Sequence, residues 1–401
     1  MLQTQSEIPS KAGTGVAVEA GLDAKDAALT NPRFYRPELD LLRLAAFLLV
    51  YLHHVLPLSV EDYAGLVSPG WARVLVTIGS ACGYGLCLFF ALSAYLIAEL
   101  LLREKMRTGT VHVRSFYIRR FLRIWPLYLL GIAIGIGYAA IRGPSEDLWR
   151  MLAYMFIVGN WFSVIHGWSA NCMTHLWSIS IEEQFYLIWP GISKRLGKRG
   201  LLICCGAGLV LANAMLFELG QRHADLYSVV WANTFVQFEM FAAGVLLAIG
   251  LKGKRPQTGS LVRMAIGCAV CGAWFASVYY FKASGIGYAT SGPALITGYA
   301  LNAAGCAGIM YAILGLDVSK VSGIFIYLGK ISYGLYVFHL LGLLCAKLLI
   351  PHASIPAFGG ISRAALGLVF TVAFAVASYK WLELPFLKMK ANFTWIASRP
   401  A

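Results

Sequence analysis

Two ionisable side chains stand out by their spacing. In the stretch YRPELDLLRLAAFLLVYLHHV, Tyr35 to Val55, Arg43 and His54 are separated by eleven positions. At 100° per residue, that separation returns to within about 20° of the same helix face. The helical rise sets His54 roughly 16 Å deeper than Arg43, while His53 points about 80° away. A guanidinium at a membrane surface, with an imidazole below it on one face, suits a particular kind of chemistry. An anionic head is held at the mouth while its reactive end meets a base or nucleophile inside. Each residue also has a plainer reading, Arg43 as an interface anchor and His54 as a packed, hydrogen-bonded histidine. Ionisable groups inside membrane helices are costly, and two on one face favour function.

Further candidates follow along the chain. FYIRRFLRIWPLYLL, Phe116 to Leu130, places Arg120 and Arg123 one turn apart on one face, with Arg119 beside them. Guanidinium pairs of this kind suit phosphate. THLWSISIEEQFYLIWP, Thr174 to Pro190, sets adjacent carboxylates Glu182 and Glu183 in an apolar run with His175, Trp177, Ser178 and Tyr186. A carboxylate there can act as a base, hold a cation or sugar hydroxyl, or pair with a buried arginine for structure alone. LGKISYGLYVFHLL, Leu328 to Leu341, contributes Tyr333, Tyr336 and His339, and Glu383 precedes Pro385 near the end. No Walker loop, dinucleotide-binding glycine signature, GxSxG elbow or metal-ligand spacing is present.

The elements that must position these residues are membrane helices. The chain has 401 residues, 59% of them hydrophobic and only 13% charged, about half the charge of a soluble protein. Apolar runs of about 20 residues recur along it. Spans are expected near 39–57, 74–102, 119–140, 176–193, 201–219, 228–250, 264–281, 294–314, 329–349 and 363–384. The fold class is therefore an all-α polytopic integral membrane protein of about ten transmembrane helices. The basic clusters, such as Arg103–Arg107, Lys194–Arg199 and Lys252–Arg255, fall in alternate loops, which places both termini in the cytoplasm. The same excess explains the net charge of +14 without invoking nucleic acid. The segment 148–165 is apolar but short and contains Gly159-Asn160, so it is read as interfacial or re-entrant. Of nine cysteines only Cys172 falls clearly in a loop, so no disulfide framework is implied. Residues 1–30 lack the apolar core of a signal peptide, and 1–33 are expected to be a disordered cytoplasmic tail, with 391–401 a C-terminal tail.

Taken together, the chain resembles the membrane acyltransferase-3 family over roughly residues 35–388. The resemblance rests on RPELD-x-x-R followed by HH, FFALSAYLI, FYIRRFLRIWPLYLL, HLWSISIEEQFYLIWP, FEMFAAG, ISYGLYVFH and ELPFL, in that order. It implies a transmembrane acyltransferase domain over 34–390 in the plasma (inner) membrane. Such a domain moves an acyl group, often acetyl, from acetyl-CoA or another acyl-CoA to a hydroxyl of a carbohydrate or metabolite acceptor, with no metal. Arg43 and His54 match the family's arginine–ten–histidine motif, and Arg120 and Arg123 match its arginine pair. On that basis Arg43, Arg120 and Arg123 are expected to bind the coenzyme. His54, Glu182 and Glu183 form the catalytic set, the carboxylates orienting acceptor or histidine. His175, Trp177, Tyr336 and His339 are expected to contact the acceptor. A stand-alone membrane module acting on a cell-surface polysaccharide is the expectation, with a macrolide-like metabolite or lipid-linked sugar as alternative acceptors. A secondary transporter using the same intramembrane His, Arg and Glu is the rival from another class.

Overall fold

The computed structural model describes residues 35–142, 146–351 and 356–394. The expected tail 1–33 and most of 391–401 lie outside the described residues. Among the described residues regular structure is helical, with one antiparallel bridge between Asp225 and Tyr288.

The order is α1 (Pro37–Val55), α2 (Pro69–Cys82), α3 (Tyr84–Thr108), α4 (Val113–Arg142), α5 (Glu146–Met155), α6 (Gly159–His166), α7 (Trp177–Arg195), α8 (Lys198–Gln221), α9 (Thr234–Leu251), α10 (Ser260–Tyr279), α11 (Gly292–Ile313), α12 (Gly323–Lys330), α13 (Ser332–Leu349), α14 (Pro356–Ser378) and α15 (Leu384–Lys390). Eight stretches among the described residues are long and apolar enough to cross a bilayer. They are Pro69–Thr108, α4, α8, α9, α10, α11, α13 and Gly360–Lys390. Each coincides with an expected span. The other two expected spans, 39–57 and 176–193, also form helices, α1 and α7, of 19 residues each. At about 28 Å they match the thickness of a bilayer's hydrocarbon core. What sets them apart is polarity: α1 carries Glu38, Asp40 and Arg43, and α7 carries Glu182, Glu183, Lys194 and Arg195. The two helices too polar to count as ordinary spans are the two that bear the central site candidates.

The segment 148–165 is two short helices, α5 and α6, rather than one span. Ile157 between them has φ +62, a left-handed conformation unfavourable for a β-branched residue. The Gln184 side chain donates to the Ile157 carbonyl at 2.7 Å, which ties the break to α7. At 10 and 8 residues, neither piece reaches across a bilayer.

Close helix contacts centre on α3. A Cβ on Gly244 of α9 would lie 2.0 Å from the Ala91 carbonyl oxygen of α3, so only glycine permits that approach. Gly329 of α12 is pressed in the same way against Asp40 of α1, where a Cβ would sit 1.9 Å from the backbone oxygen. The basic loops share one end of the bundle. Lys105 Nζ donates to the carbonyls of Ser193, Lys194 and Leu196 at 2.9–3.0 Å, capping the C-terminus of α7 with a cation. Arg103 pairs with buried Glu99 at 2.7 Å, and Arg36 reaches the same carboxylate at 3.7 Å. Both arginines also donate to the Gly253 carbonyl.

Candidate active site

Pro37 at the first position of α1 and the acidic first turn favour a helix start there. The helix buries Leu39, Leu42, Ala46, Phe47, Val50 and Tyr51. The period that packs this face leaves Arg43 and His54 on a shared flank, and each opens into a different cavity.

The first cavity, about 80 Å³, is walled by Arg43, Arg120, Arg123, Glu182, Tyr186 and Tyr336, among others. Arg43 Nη1 donates to Asp40 Oδ1 at 3.2 Å. The Arg120 guanidinium lies 4.8 Å from the Tyr186 ring centre and 5.5 Å from that of Phe116, a cation–π clasp that fixes its direction. Tyr186 in turn donates its hydroxyl to Glu182. Three guanidiniums thus converge on one space from α1 and α4. Arg119 does not join them: it pairs with Glu104 at 3.1 Å and donates to the Phe393 carbonyl.

The second cavity, about 200 Å³, is walled by His54, His175, Trp168, Trp177, Trp231 and Tyr336, among others. His54 is exposed to this space, and it makes no hydrogen bond among the described residues. Its ring centre lies 5.0 Å from that of His339, which lies 4.6 Å from His175. His175 donates through Nε2 to the Val337 carbonyl at 3.1 Å, and His339 through Nδ1 to the Tyr336 carbonyl. A carbonyl only accepts, so in the neutral rings His175 Nδ1 and His339 Nε2 carry lone pairs. Both atoms are buried and without a partner among the described residues. Three imidazoles from three separate elements therefore sit together, yet no group of three metal-ligating side chains is close enough to hold a metal among the described residues.

Leu86 and Tyr336 border both cavities. The Tyr336 hydroxyl lies 2.6 Å from Ser178 Oγ and also donates to the His175 carbonyl at 3.2 Å. This tyrosine is the seam between the arginine space and the histidine space.

Two sequence candidates stand apart. Glu183 lines neither cavity; it is buried and accepts from Trp125 Nε1 at 3.1 Å. Its neighbour Glu182 faces the arginines, as the 100° step between adjacent helix positions requires. His339 also lines neither cavity and is fully buried behind His54 and His175. Conversely, Trp168, Tyr227 and Trp231 enter the second cavity without having been singled out by sequence. Trp168 lies in an irregular connection, Tyr227 in a short π-helical turn (Leu226–Val230), and Trp231 at the end of that turn, near the start of the expected span 228–250. Burial, reinforced by the adjacent Asp225 carboxylate, pushes the Tyr227 phenol upward, so it stays a neutral group.

A family model described as an acyltransferase domain matches residues 36–380. The chain is similar to the peptidoglycan O-acetyltransferase OatA of Listeria monocytogenes, with 27% identity over 388 residues, covering 89% of this chain and 56% of that one. It is also similar to the O-acetyltransferase OatA of Staphylococcus aureus, with 30% identity over 182 residues, covering 42% and 27% of the two chains. A further relative, from Staphylococcus aureus (strain COL), is 26% identical over 326 residues, 76% of this chain and 52% of its own. The chain thus spans about half the length of these curated relatives. No solved structure matches.

Proposed function

This chain belongs to the acyltransferase domain family, and from that premise we propose that it moves an acetyl group from acetyl-CoA to a carbohydrate hydroxyl across a membrane. Ten helices cross the plasma membrane in this reading, with both termini cytoplasmic and the arginine cavity facing the cytoplasm. The acceptor is a cell-surface polysaccharide in this reading, in line with the name of one relative, a peptidoglycan O-acetyltransferase.

The observation that carries the proposal is the adjacency of two cavities of different chemistry that share Leu86 and Tyr336 as walls. Arg43, Arg120 and Arg123 supply charge-assisted donors for the coenzyme's phosphates. The pantetheine arm then passes Leu86 and Tyr336, bringing the thioester carbonyl to His54. In a direct transfer the neutral imidazole takes the proton of the acceptor hydroxyl as its oxygen attacks the carbonyl carbon. The C–S bond breaks, and the thiolate leaving group recovers that proton from the imidazolium. In the alternative route the imidazole nitrogen attacks the thioester carbonyl, the C–S bond breaks and the thiolate leaves with the ring proton. The acceptor hydroxyl then attacks the acyl carbon, the C–N bond breaks and the hydroxyl proton returns to the imidazole. Glu182 orients the donor end of the path. Glu183 and His339 act through Trp125 and His54 rather than by touching substrate.

The test is acetyl-CoA turnover by the purified protein, alongside Arg43→Ala and His54→Ala. Turnover lost in both variants, with coenzyme binding weakened only in the first, supports the assignment. A wild-type protein that binds no coenzyme A at all returns the chain to the transporter reading.

A further inference from the structure

The two cavities differ in charge as well as in position. Among the described residues no Asp, Glu, Lys or Arg lines the histidine cavity, whereas its neighbour is lined by three arginines and a glutamate. What replaces charge is ring surface. The Trp168 ring centre lies 5.4 Å from those of both Trp177 and Tyr227, with planes tilted by 54° and 62°. Trp231 completes this wall.

Trp168 is held rigidly. Its Nε1 donates to the Tyr227 carbonyl at 3.1 Å, so the polar end of the indole is used inside the protein while the ring lines the cavity. Beside the rings, Thr174 Oγ1 and His175 Nδ1 are buried polar atoms without a partner among the described residues. Both residues line the cavity. A site built of aromatic walls and a few unspent polar atoms matches a ligand that is apolar on its faces and hydroxylated at its edge.

A pyranose ring has that division. Its axial C–H bonds meet the negative face of an aromatic ring, and its equatorial hydroxyls reach outward to the polar atoms. A carboxylated, phosphorylated or sulfated sugar would bring a charge with no counter-charge in the wall, and an unpaired buried charge is strongly disfavoured. An aliphatic chain would leave Thr174 and His175 unsatisfied. We infer that this cavity is a subsite for one uncharged pyranose unit, stacked on Trp168 and Trp177 with one hydroxyl directed at His54. The inference rests on the proposed acyl transfer for the role of that hydroxyl; binding itself is measurable without transfer.

The experiment uses the full-length protein in lipid nanodiscs, because sugar-headed detergents would compete. Chitotetraose, cellotetraose and maltotetraose are the neutral probes, and tetragalacturonate is the anionic one, each titrated by calorimetry and tryptophan fluorescence. At least one neutral oligomer should bind saturably and the anionic one should not. Trp168→Ala should weaken that binding by about tenfold or more, and Trp168→Phe by no more than about threefold. Coenzyme A titration of the same variants checks that they are folded. The inference is overturned if tetragalacturonate binds as tightly as the neutral probes. It is equally overturned if Trp168→Ala leaves the affinity unchanged, or if no neutral probe binds to protein that still binds coenzyme A. Neutral sugar binding in a protein that binds no coenzyme A would instead keep the subsite and remove the acyl-transfer reading.

Discussion

Leu86 on α3 and Tyr336 on α13 each face both cavities, so in the proposed reading a donor held among the arginines reaches His54 past these two side chains. A bulkier group at position 86 should close that passage without touching the coenzyme's phosphates. Leu86→Trp is therefore expected to retain coenzyme A binding while acetyl transfer falls by about a hundredfold or more. Equal loss of binding and transfer would place the thioester elsewhere.

His54 is exposed to its cavity and makes no hydrogen bond among the described residues. Removing it should change chemistry more than folding. His54→Ala is expected to lower transfer by about 10²–10⁴-fold with little change in melting temperature. Acidification should reduce the wild-type rate as well, because a protonated imidazole has no lone pair to act as base or nucleophile. A rate that stays flat into acid would remove His54 from the proton path.

Arg43 contributes a fork of donors, part of it held by Asp40 at 3.2 Å. Loss of a charge-assisted contact is worth about 1.5–3 kcal/mol. Arg43→Ala should therefore weaken coenzyme A binding by about ten- to a hundredfold. Lysine restores charge but not the planar fork, so Arg43→Lys should recover only part of the affinity. Both effects should shrink as salt is raised, and titration at two ionic strengths checks the pattern.

Gly244 is the tightest point of the α3–α9 contact, with the Ala91 carbonyl where a Cβ would go. Backbone cannot swing aside as a long side chain can, so Gly244→Ala should separate the helices. A loss of at least about 1–3 kcal/mol is expected, read as a lower melting temperature and a smaller folded yield. A variant that melts like the wild type would show that the contact has slack.

The pairing of Arg43 with His54 was legible because a helix converts eleven positions into a shared flank by geometry alone. The span pattern was legible for the same reason: apolar runs of bilayer length need no tertiary knowledge. Glu182 and Glu183 show where that logic stops. Adjacency on a helix says that only one can face a given space, and packing decides that it is Glu182. Trp168, Tyr227 and Trp231 come from two separate stretches of chain whose mutual placement no period encodes, so only the folded chain brings them into one wall. The interruption at Ile157 was visible as a weak span containing glycine and asparagine. The left-handed residue itself is set by the contact with Gln184, which lies 27 positions further on.

The contacts of α1 bear on how the protein is made. Glu38 accepts from the Gly315 backbone at 3.2 Å, and Gly329 packs on the Asp40 backbone. Helix α1 is thus completed by a segment synthesised some 280 residues later. Until then Glu38 lacks its final partner, while Asp40 and Arg43 pair within the helix itself. Biogenesis should therefore hold α1 at the translocon or the bilayer edge, and chains arrested before residue 315 should leave it accessible to water-borne labels. Arg43 and His54 would then be among the last groups to reach their final places.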